Sequence, residues 1–338
     1  MFCIATVVVV ACVLFACKCV KTRNEVWVGR RSGRVTQGGG GDAFSWADVT
    51  PEDTAWFQAH HQRQVPPGMY ASAPINQHLQ AWCGVCWLVA CVQVTQDKLN
   101  IREAPLEPTT RDHRAFVFNM QAAADDAARL FSEEIQGRER SVGVLVTRPR
   151  QWTACMGGDP KMALEALRSG SLRLAAQRLG QESWQSRSDP RRAGSVEGDA
   201  VISAVRTIEP SVEAIKEELL RGPIVACTRS DPLWHLDEAG RTPAGSGERD
   251  HVMALVGWKT VGGEPCWIAR NSWGGTQRST VHAKPDDVRG CAGGLCASET
   301  TEWVNPSSLP GFVFIPLDRR TNAMGLYDAP SGLFAVDV

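Results

Sequence analysis

The stretch Asn76–Trp87, which reads NQHLQAWCGVCW, gathers side chains that could do chemistry: two cysteines, two glutamines and a histidine. A disulfide anchor, a metal site and a nucleophile with its accessory groups are all compatible with this set. A zinc site is disfavoured because Cys83-x-x-Cys86 has no second Cys or His pair nearby and Trp87 fills the adjoining position. We therefore predict no metal and no cofactor, which leaves the disulfide and the nucleophile open.

Cys86 is the candidate nucleophile. The residues that follow it, up to about Leu99, alternate apolar and polar at helical spacing, which predicts a core helix that begins at or just before Cys86. Backbone N–H groups and the helix dipole stabilise a thiolate at such a position. The thiolate also needs a nearby imidazole, and the imidazole needs an orienting group on its other nitrogen. His251 and Asn271 are the natural candidates, since each lies at the end of a predicted strand.

Four motifs occur in a fixed order along the chain: CGVCW, CMGGDP, DHVMALVGW and RNSWGG. Together they resemble the papain family of cysteine peptidases, over roughly residues 65–273. The Cys-Gly-x-Cys-Trp surround and the His-paired cysteine of low pKa are already known features of that family. The resemblance implies an α+β, papain-like two-lobed fold, with a helical lobe at about 65–200, a β-barrel-like lobe at about 201–338 and the active site in the cleft between them.

The same resemblance implies roles for individual residues. Cys86 would attack the substrate carbonyl, His251 would move the proton, and Asn271 would hold the imidazole. Cys83 and Cys155 correspond to a disulfide of the family. Further substrate-binding or shielding positions are Trp82, Gly157, Gly158 and Trp273.

A closer likeness lies in Tyr70–Trp87, which resembles the carboxypeptidases of the cathepsin X (also called Z) type. In those enzymes an insertion before the nucleophile presents a histidine to the terminal carboxylate of the substrate, and His78 would take that role. Gln77 and Gln80 compete for the oxyanion hole, because one glutamine side chain donates there beside the Cys86 amide. We favour Gln77, since its neighbours also match, and keep Gln80 as the alternative.

Two other functions remain open from the sequence. The continuation after Gly275 departs from the family pattern, so the chain could be a papain-type endopeptidase without the carboxypeptidase specificity. It could also be a catalytically silent binding or structural protein of the same fold. All four catalytic residue types are present, which favours the enzyme.

Composition limits the partners. The chain has 338 residues with 36 basic and 37 acidic side chains, so no excess charge attracts nucleic acid. Its 12 cysteines are typical of a secretory compartment with a few disulfides, or of scattered buried thiols. We expect peptide or protein substrates and no nucleic acid.

The N-terminus carries an uncharged apolar run, Phe2–Cys17, followed by basic residues. This pattern predicts a signal peptide or signal anchor at 1–20, a secretory, lysosome-like or extracellular location, and a possible membrane attachment through residues 2–17. We assign 21–64 to a short pro-region or linker and 65–338 to the peptidase domain.

The elements that must position the site follow from periodicity and caps. Beyond the helix at Cys86, helices are predicted over Pro160–Arg168 and Ser211–Arg221, and a short one within Ser45–Arg63. Strands are predicted late in the chain, in PIVACT, HVMALVGW, CWIARNSW and GFVFIPL. The pattern-poor stretches Arg111–Arg150 and Gln181–Glu197 are predicted to be surface insertions.

Overall fold

A computed structural model describes residues 43–78, 83–103, 118–131, 154–174, 202–282 and 300–338, without the side chains of residues 103, 156 and 282. All of them belong to one compact unit, residues 38–338. The apolar segment at 1–20 and the side chains of Gln80 and Trp82 lie outside the described residues. Among the helices that are described, none is both long and apolar enough to cross a membrane.

The described helices are α1 (Pro51–His61), α2 (Cys86–Glu103), α3 (Met120–Leu130), α4 (Pro160–Arg168) and α5 (Val212–Leu219). Side chains at their starts explain where they begin. Thr50 and Asp53 form a reciprocal capping box at α1, and the Asp159 carboxylate accepts the Lys161 N–H at the start of α4. The three longer helix predictions are confirmed within a few residues, and α1 occupies the predicted short segment.

Helix α2 is buried over nearly its whole length. The sequence predicted an apolar side and a polar side, and the polar side is buried as well. The polar residues of this side find partners: Gln93 donates to the Ala73 carbonyl, and Asp97 and Lys98 form ion pairs with residues of the second lobe. A helix that carries polar residues can therefore occupy the centre of the protein, because other segments satisfy them.

The strands are β1 (Phe44–Ser45), β2 (Ala204–Thr207), β3 (Ile224–Thr228), β4 (His251–Val261), β5 (Glu264–Arg270), β6 (Arg278–His282), β7 (Thr300–Val304), β8 (Phe312–Pro316) and β9 (Leu333–Asp337). One antiparallel sheet runs in the order β2-β9-β3-β4-β5-β8, β1 pairs with β4, and β6 and β7 form a separate hairpin. The four strands predicted from sequence are β3, β4, β5 and β8. The architecture is α+β, as predicted.

Residues 43–64 pack inside this unit, although the sequence assigned them to a pro-region or linker. Phe44 pairs with Trp258 of β4, and the buried Trp46 indole donates to the Leu219 carbonyl at 2.6 Å. Phe57 of α1 is also buried. A linker would leave these aromatic side chains outside the core. The residues before and after position 65 instead contribute to the same core.

The predicted insertion Arg111–Arg150 is partly wrong. Helix α3 lies within it, capped by the Asn119 side chain, and buries Ala123 and Ala127 against the core. The sequence did not predict this helix because its buried face consists largely of alanine, which gives only a weak hydrophobic periodicity. The stretch 181–197 lies outside the described residues.

Candidate active site

Cys86 is the first residue of α2, where the sequence placed it, and it is 7% exposed. Burial raises the pKa of its thiol to about 12, although the backbone N–H groups of Val252 and Trp87 donate to the sulfur and oppose this rise. Val252 directly follows His251 in β4. The start of α2 and the start of β4 therefore meet at the sulfur.

His251 and Asn271 are brought together as predicted. The His251 Nε2 and Asn271 Oδ1 atoms are 2.8 Å apart, and both side chains are buried. The amide oxygen accepts the Nε2–H, which leaves Nδ1 as the ring nitrogen available for proton transfer. Burial lowers the pKa of His251, while the Asn271 hydrogen bond and the negative charge of Asp250 oppose that change.

Trp273 forms one wall beside this pair. Its ring centroid is 5.4 Å from that of His251 and 5.7 Å from that of Trp303, and the side chain is 4% exposed. An aromatic ring in this position excludes water from the imidazole. The expected shielding of the His251–Asn271 hydrogen bond thus has a physical basis in these contacts.

Gln77 lies on a segment pinned to the second lobe. Its backbone N–H donates to the Ser272 carbonyl at 2.8 Å, and its side-chain oxygen accepts the Ser272 hydroxyl at 2.5 Å. Its side-chain Nε2 donates to the Cys83 carbonyl at 2.7 Å. These contacts hold the Gln77 amide between the two sides of the cleft, which Cys86 also lines.

His78 is 4% exposed and lines the same cleft. Its Nδ1 lies 3.3 Å from the Cys83 backbone N–H, which donates to it, and its Nε2 lies 3.2 Å from Gln77 Nε2. A neutral imidazole accepts at one nitrogen only. Both ring nitrogens thus face N–H donors, and the ring cannot accept from both as a neutral group.

A disulfide joins Cys83 to Cys155, as the family resemblance implied. It links the segment before α2 to the short turn that precedes Gly157 and Gly158, and the Gly84 N–H donates to the Cys155 carbonyl at 2.8 Å. A Cβ at Gly158 would lie 2.5 Å from the Trp87 ring, so no other residue fits there without a shift. The glycine is required by the packing of Trp87, and a role in substrate binding would be additional to that.

One cavity of about 480 Å³ is lined by most of the site residues described above: Gln77, His78, Cys86, Trp87, Gly157, Gly158, His251 and Trp273. The sequence missed several of its walls: Cys227, Trp234, Arg249, Asp250 and Val281. Cys227 is half-buried, and burial raises the pKa of its thiol to about 11. Arg249 could have been found from the sequence, because it lies only two residues before the candidate catalytic His251.

The exposed Trp234 stands over Trp273, with ring centroids 4.9 Å apart. The turn that carries it, Asp231–Trp234, is held by Asp250. That carboxylate accepts the Ser230 N–H at 2.8 Å and the Ser230 hydroxyl at 2.7 Å. The residue beside the candidate catalytic histidine thereby fixes an aromatic wall of the cavity.

No group of three or more His, Cys, Asp or Glu residues that could hold a metal ion occurs among the residues whose structure is described. Cys83 is used in the disulfide, so the Cys83-x-x-Cys86 pair is not available as two thiolate ligands. The side chains around Cys86 supply a nucleophile, a proton carrier and hydrogen-bond donors. This set is suited to acyl transfer.

Comparison with known proteins finds a family match over part of the chain and a likeness in fold. Residues 141–284 match the model described as papain family cysteine protease. A structure from work on the mite allergens Blo t 1 and Der p 1 aligns with 92% of this chain and 74% of that chain at 16% identity, with a TM-score of 0.50. Bromelain from Ananas comosus in complex with the E64 inhibitor aligns with 88% of this chain and 99% of that chain at 12% identity, with a TM-score of 0.47. No curated protein sequence matches the chain.

Proposed function

We propose that this chain, which has a papain-like fold and matches the papain family cysteine protease model over residues 141–284, is a cysteine peptidase. It hydrolyses peptide bonds through a thioester formed on Cys86. The observation that carries this proposal is the 2.8 Å contact between His251 Nε2 and Asn271 Oδ1 beside a cysteine at a helix start. That contact leaves Nδ1 of the ring for the thiol proton.

The acylation step begins when the Cys86 thiol gives its proton to His251 Nδ1 and the sulfur attacks the carbonyl carbon. The new C–S bond places negative charge on the carbonyl oxygen, and the Cys86 N–H and a Gln77 N–H donate to it. The C–N bond then breaks as His251 returns the proton to the leaving amine. The products of this step are a free amine and a thioester.

Deacylation uses the same groups in the opposite sense. His251 takes a proton from water, and the resulting hydroxide attacks the thioester carbon. The C–S bond breaks, the acid product leaves, and the sulfur recovers its proton from His251. One water is consumed for each peptide bond.

Burial favours uncharged forms of both reacting groups. It raises the pKa of Cys86 to about 12 and lowers that of His251. These directions favour a resting pair of neutral thiol and neutral imidazole, so we propose that the thiol proton moves to His251 as the sulfur attacks the substrate. The two N–H donors at the sulfur and the positive end of α2 stabilise the thiolate once it forms.

For specificity we propose a carboxypeptidase in which His78 binds the terminal carboxylate of the substrate. His78 lines the cavity together with Trp273, at a ring distance of 6.1 Å. A protonated ring would donate to a carboxylate. That state conflicts with its contacts to the Cys83 N–H and to Gln77, so the ring must turn toward the substrate on binding.

The same contacts favour a second candidate, an endopeptidase. If His78 stays against the Cys83 N–H, it supports the loop before α2 and offers no anchor for a free terminus. Gln77 would then keep the geometry needed for the oxyanion, and cleavage would occur within a peptide. The two candidates share the acyl-transfer chemistry and differ in the position of one ring.

Labelling with a thiol-directed epoxide tests the enzyme proposal. We expect one label on Cys86 in the native protein and none in Cys86→Ala. Cys227 also lines the cavity, so Cys227→Ala is the matched control, and it should label as the native protein does. A label that persists in Cys86→Ala, or absence of turnover on a dipeptide panel at mildly acidic pH, would identify a silent binding protein instead.

Peptides that end in a free carboxylate or in an amide separate the two specificities. A carboxypeptidase cleaves the free-acid peptide and loses most activity on the amide, and His78→Asn should remove that difference. Equal internal cleavage of both peptides by the native protein would reject the carboxypeptidase and select the endopeptidase.

The Cys83–Cys155 disulfide fits folding in an oxidising compartment such as the secretory pathway. We propose a lysosome-like or extracellular site of action on that ground. Expression with and without a reducing cytosol, followed by thiol counting under denaturing conditions, tests it.

A further inference from the structure

One wall of the cavity carries a cation with unused hydrogen-bond donors. Arg249 is half-buried and lines the cavity beside Cys227. Its Nη1 and the Cys227 Cβ both lie within 2.7 Å of the point that a Cβ on Gly332 would occupy. Because residue 332 is a glycine, the guanidinium can approach the backbone just before β9.

The donors of Arg249 are mostly unpaired. Nη2 donates to the Pro330 carbonyl at 2.7 Å, and this is the one hydrogen bond that the guanidinium makes within the described residues. Nη1 is buried and has no partner there. A guanidinium has five N–H donors, and a buried donor without a partner is costly.

Other arginines of the second lobe behave differently. Arg206, Arg229, Arg241 and Arg270 each form an ion pair with at least one carboxylate, at distances from 2.6 to 2.9 Å. Arg249 forms no ion pair with any carboxylate of the described residues, although it lies in the wall of the cleft. Its positive charge is therefore available to a ligand that enters the cavity.

Two acids near this wall, Asp250 and Asp159, accept hydrogen bonds from other residues. Both carboxylate oxygens of Asp250 accept hydrogen bonds from Ser230, and one oxygen of Asp159 accepts the Lys161 N–H. The charge of Asp159 reaches Cys227 but Asp159 forms no ion pair with Arg249. These carboxylates lower the positive potential at this wall without satisfying the guanidinium.

We propose that Arg249 selects an acidic side chain in the peptide substrate, at a residue on the N-terminal side of the scissile bond. The inference rests on the proposed function and on the role that the family resemblance implies for Gly157 and Gly158, which is to hold that part of the substrate in extended form. Alternate side chains of an extended peptide point to opposite sides, so one Asp or Glu can face Arg249 while its neighbours face away. The carboxylate then forms charge-assisted hydrogen bonds with the guanidinium.

A peptide series tests the subsite. Peptides carry Glu or the isosteric Gln at the first, second or third residue before the scissile bond, and kcat/KM is measured near pH 6, where a Glu carboxylate is ionised. We expect the Glu peptide to exceed its Gln partner by about tenfold at one of the three positions. Equal rates at every position would overturn the proposal.

Substitutions assign the preference to Arg249. Arg249→Met should abolish the Glu preference, Arg249→Lys should keep part of it, and Arg249→Glu should favour a Lys peptide. Arg168→Met is the matched control, because it removes an exposed arginine of α4 that pairs with Glu165 outside the cavity. A preference that survives in Arg249→Met, with unfolding temperature unchanged, would also overturn the proposal.

Binding separates this inference from the proposed function. Affinities of the Glu and Gln peptides for Cys86→Ala are measured by calorimetry, which needs no catalysis. Tighter binding of the Glu peptide with no turnover by the native chain would reject the peptidase and retain an acid-selective site. Turnover without any Glu preference, in rate or in binding, would retain the peptidase and reject the subsite.

Discussion

Helix α2 and the cleft at its start both bury polar groups, and they differ in how fully those groups are paired. In the middle of α2, the Asp97 carboxylate accepts from Arg270 Nη1 at 2.7 Å and from the Ser72 N–H at 2.7 Å. In residues that line the cleft, Trp273 Nε1 and Arg249 Nη1 are buried with no hydrogen-bond partner among the described residues. Arg270 Nε and Nη2 are also buried without a partner among those residues, so the regions differ in their charges: Arg270 is compensated by Asp97, and Arg249 forms no ion pair with a described carboxylate.

The difference teaches where substitutions should affect stability and where they should affect activity. A paired buried charge costs most when its partner is removed, because the remaining charge is left without compensation. A buried donor without a partner already destabilises the fold, so its removal costs little folding free energy. Substitutions at the α2 ion pair should therefore lower the free energy of unfolding, whereas substitutions in the cleft should mainly lower activity.

The largest expected effect is on catalysis. Cys86→Ala should reduce kcat by more than about 1,000-fold, since a nucleophile that acts with its base contributes at least that much. Its unfolding temperature should change by only a few degrees, because a small buried group is lost. Kinetics and calorimetry on the same preparation test this, and a large loss of stability would contradict the comparison.

Removal of one partner from the α2 ion pair comes next. Asp97→Ala leaves Arg270 buried without its carboxylate, and we expect a loss of about 3–5 kcal/mol in the free energy of unfolding. The double variant Asp97→Leu with Arg270→Met should recover much of that loss, because no charge remains buried. Urea unfolding of the three proteins measures it, and additive losses in the double variant would refute the pairing argument.

Gln77→Ala should lower kcat by about 100- to 1,000-fold if its amide donates to the oxyanion. Gln93→Ala is a matched control, since Gln93 is also a largely buried glutamine that donates to a backbone carbonyl, at 2.9 Å. It should lower the unfolding temperature and leave kcat within about twofold of the native value. Similar losses of kcat in both variants would argue against a direct role for Gln77.

The smallest effect is the acid sensitivity of a second paired cluster. Burial pushes the pKa of Glu218 upward, but hydrogen bonds from Arg206 and the charges of Lys98, Arg206 and Arg221 bring it below its usual value. A lowered folded-state pKa gives stability that is present above the unfolded pKa of about 4.3 and is lost as pH falls through the folded value.

We therefore expect unfolding temperature to fall as pH drops below about 4.5. Arg206→Met removes the hydrogen bonds that lower the pKa of Glu218, and it should flatten this slope. Thermal unfolding from pH 6 to pH 3 makes the comparison. An unchanged slope in Arg206→Met would show that other carboxylates control acid unfolding.

The sequence predicted the parts of the site that local rules determine. The start of α2 at Cys86, the position of His251 at the start of β4 and the strands around Asn271 all follow from short patterns of apolar residues, turns and caps. The family motifs also implied the disulfide between Cys83 and Cys155, which no local rule provides.

Long-range partners could not be predicted in the same way. Nothing near Asp97 in sequence indicates that Arg270, 173 residues later, compensates its charge. Trp234 and Arg249 lie in loops without periodicity, and their place in the cavity depends on how β3, β4 and the C-terminal strand assemble. Strand β9 was not predicted, although its residues, LFAVD, form an apolar run as long as β3 and β8.

The packing of Phe44 against β4 limits where a protease can trim this chain. Gly257 lies at the register shift in β4. A Cβ there would collide with the Phe44 carbonyl oxygen, so the close contact between the two backbones requires glycine at this position. Cleavage near residue 65 would remove Trp46 and Phe57 from the core and expose the Trp258 side of the sheet. We therefore expect any stable mature form to begin before Phe44, and Edman degradation of its N-terminus tests this.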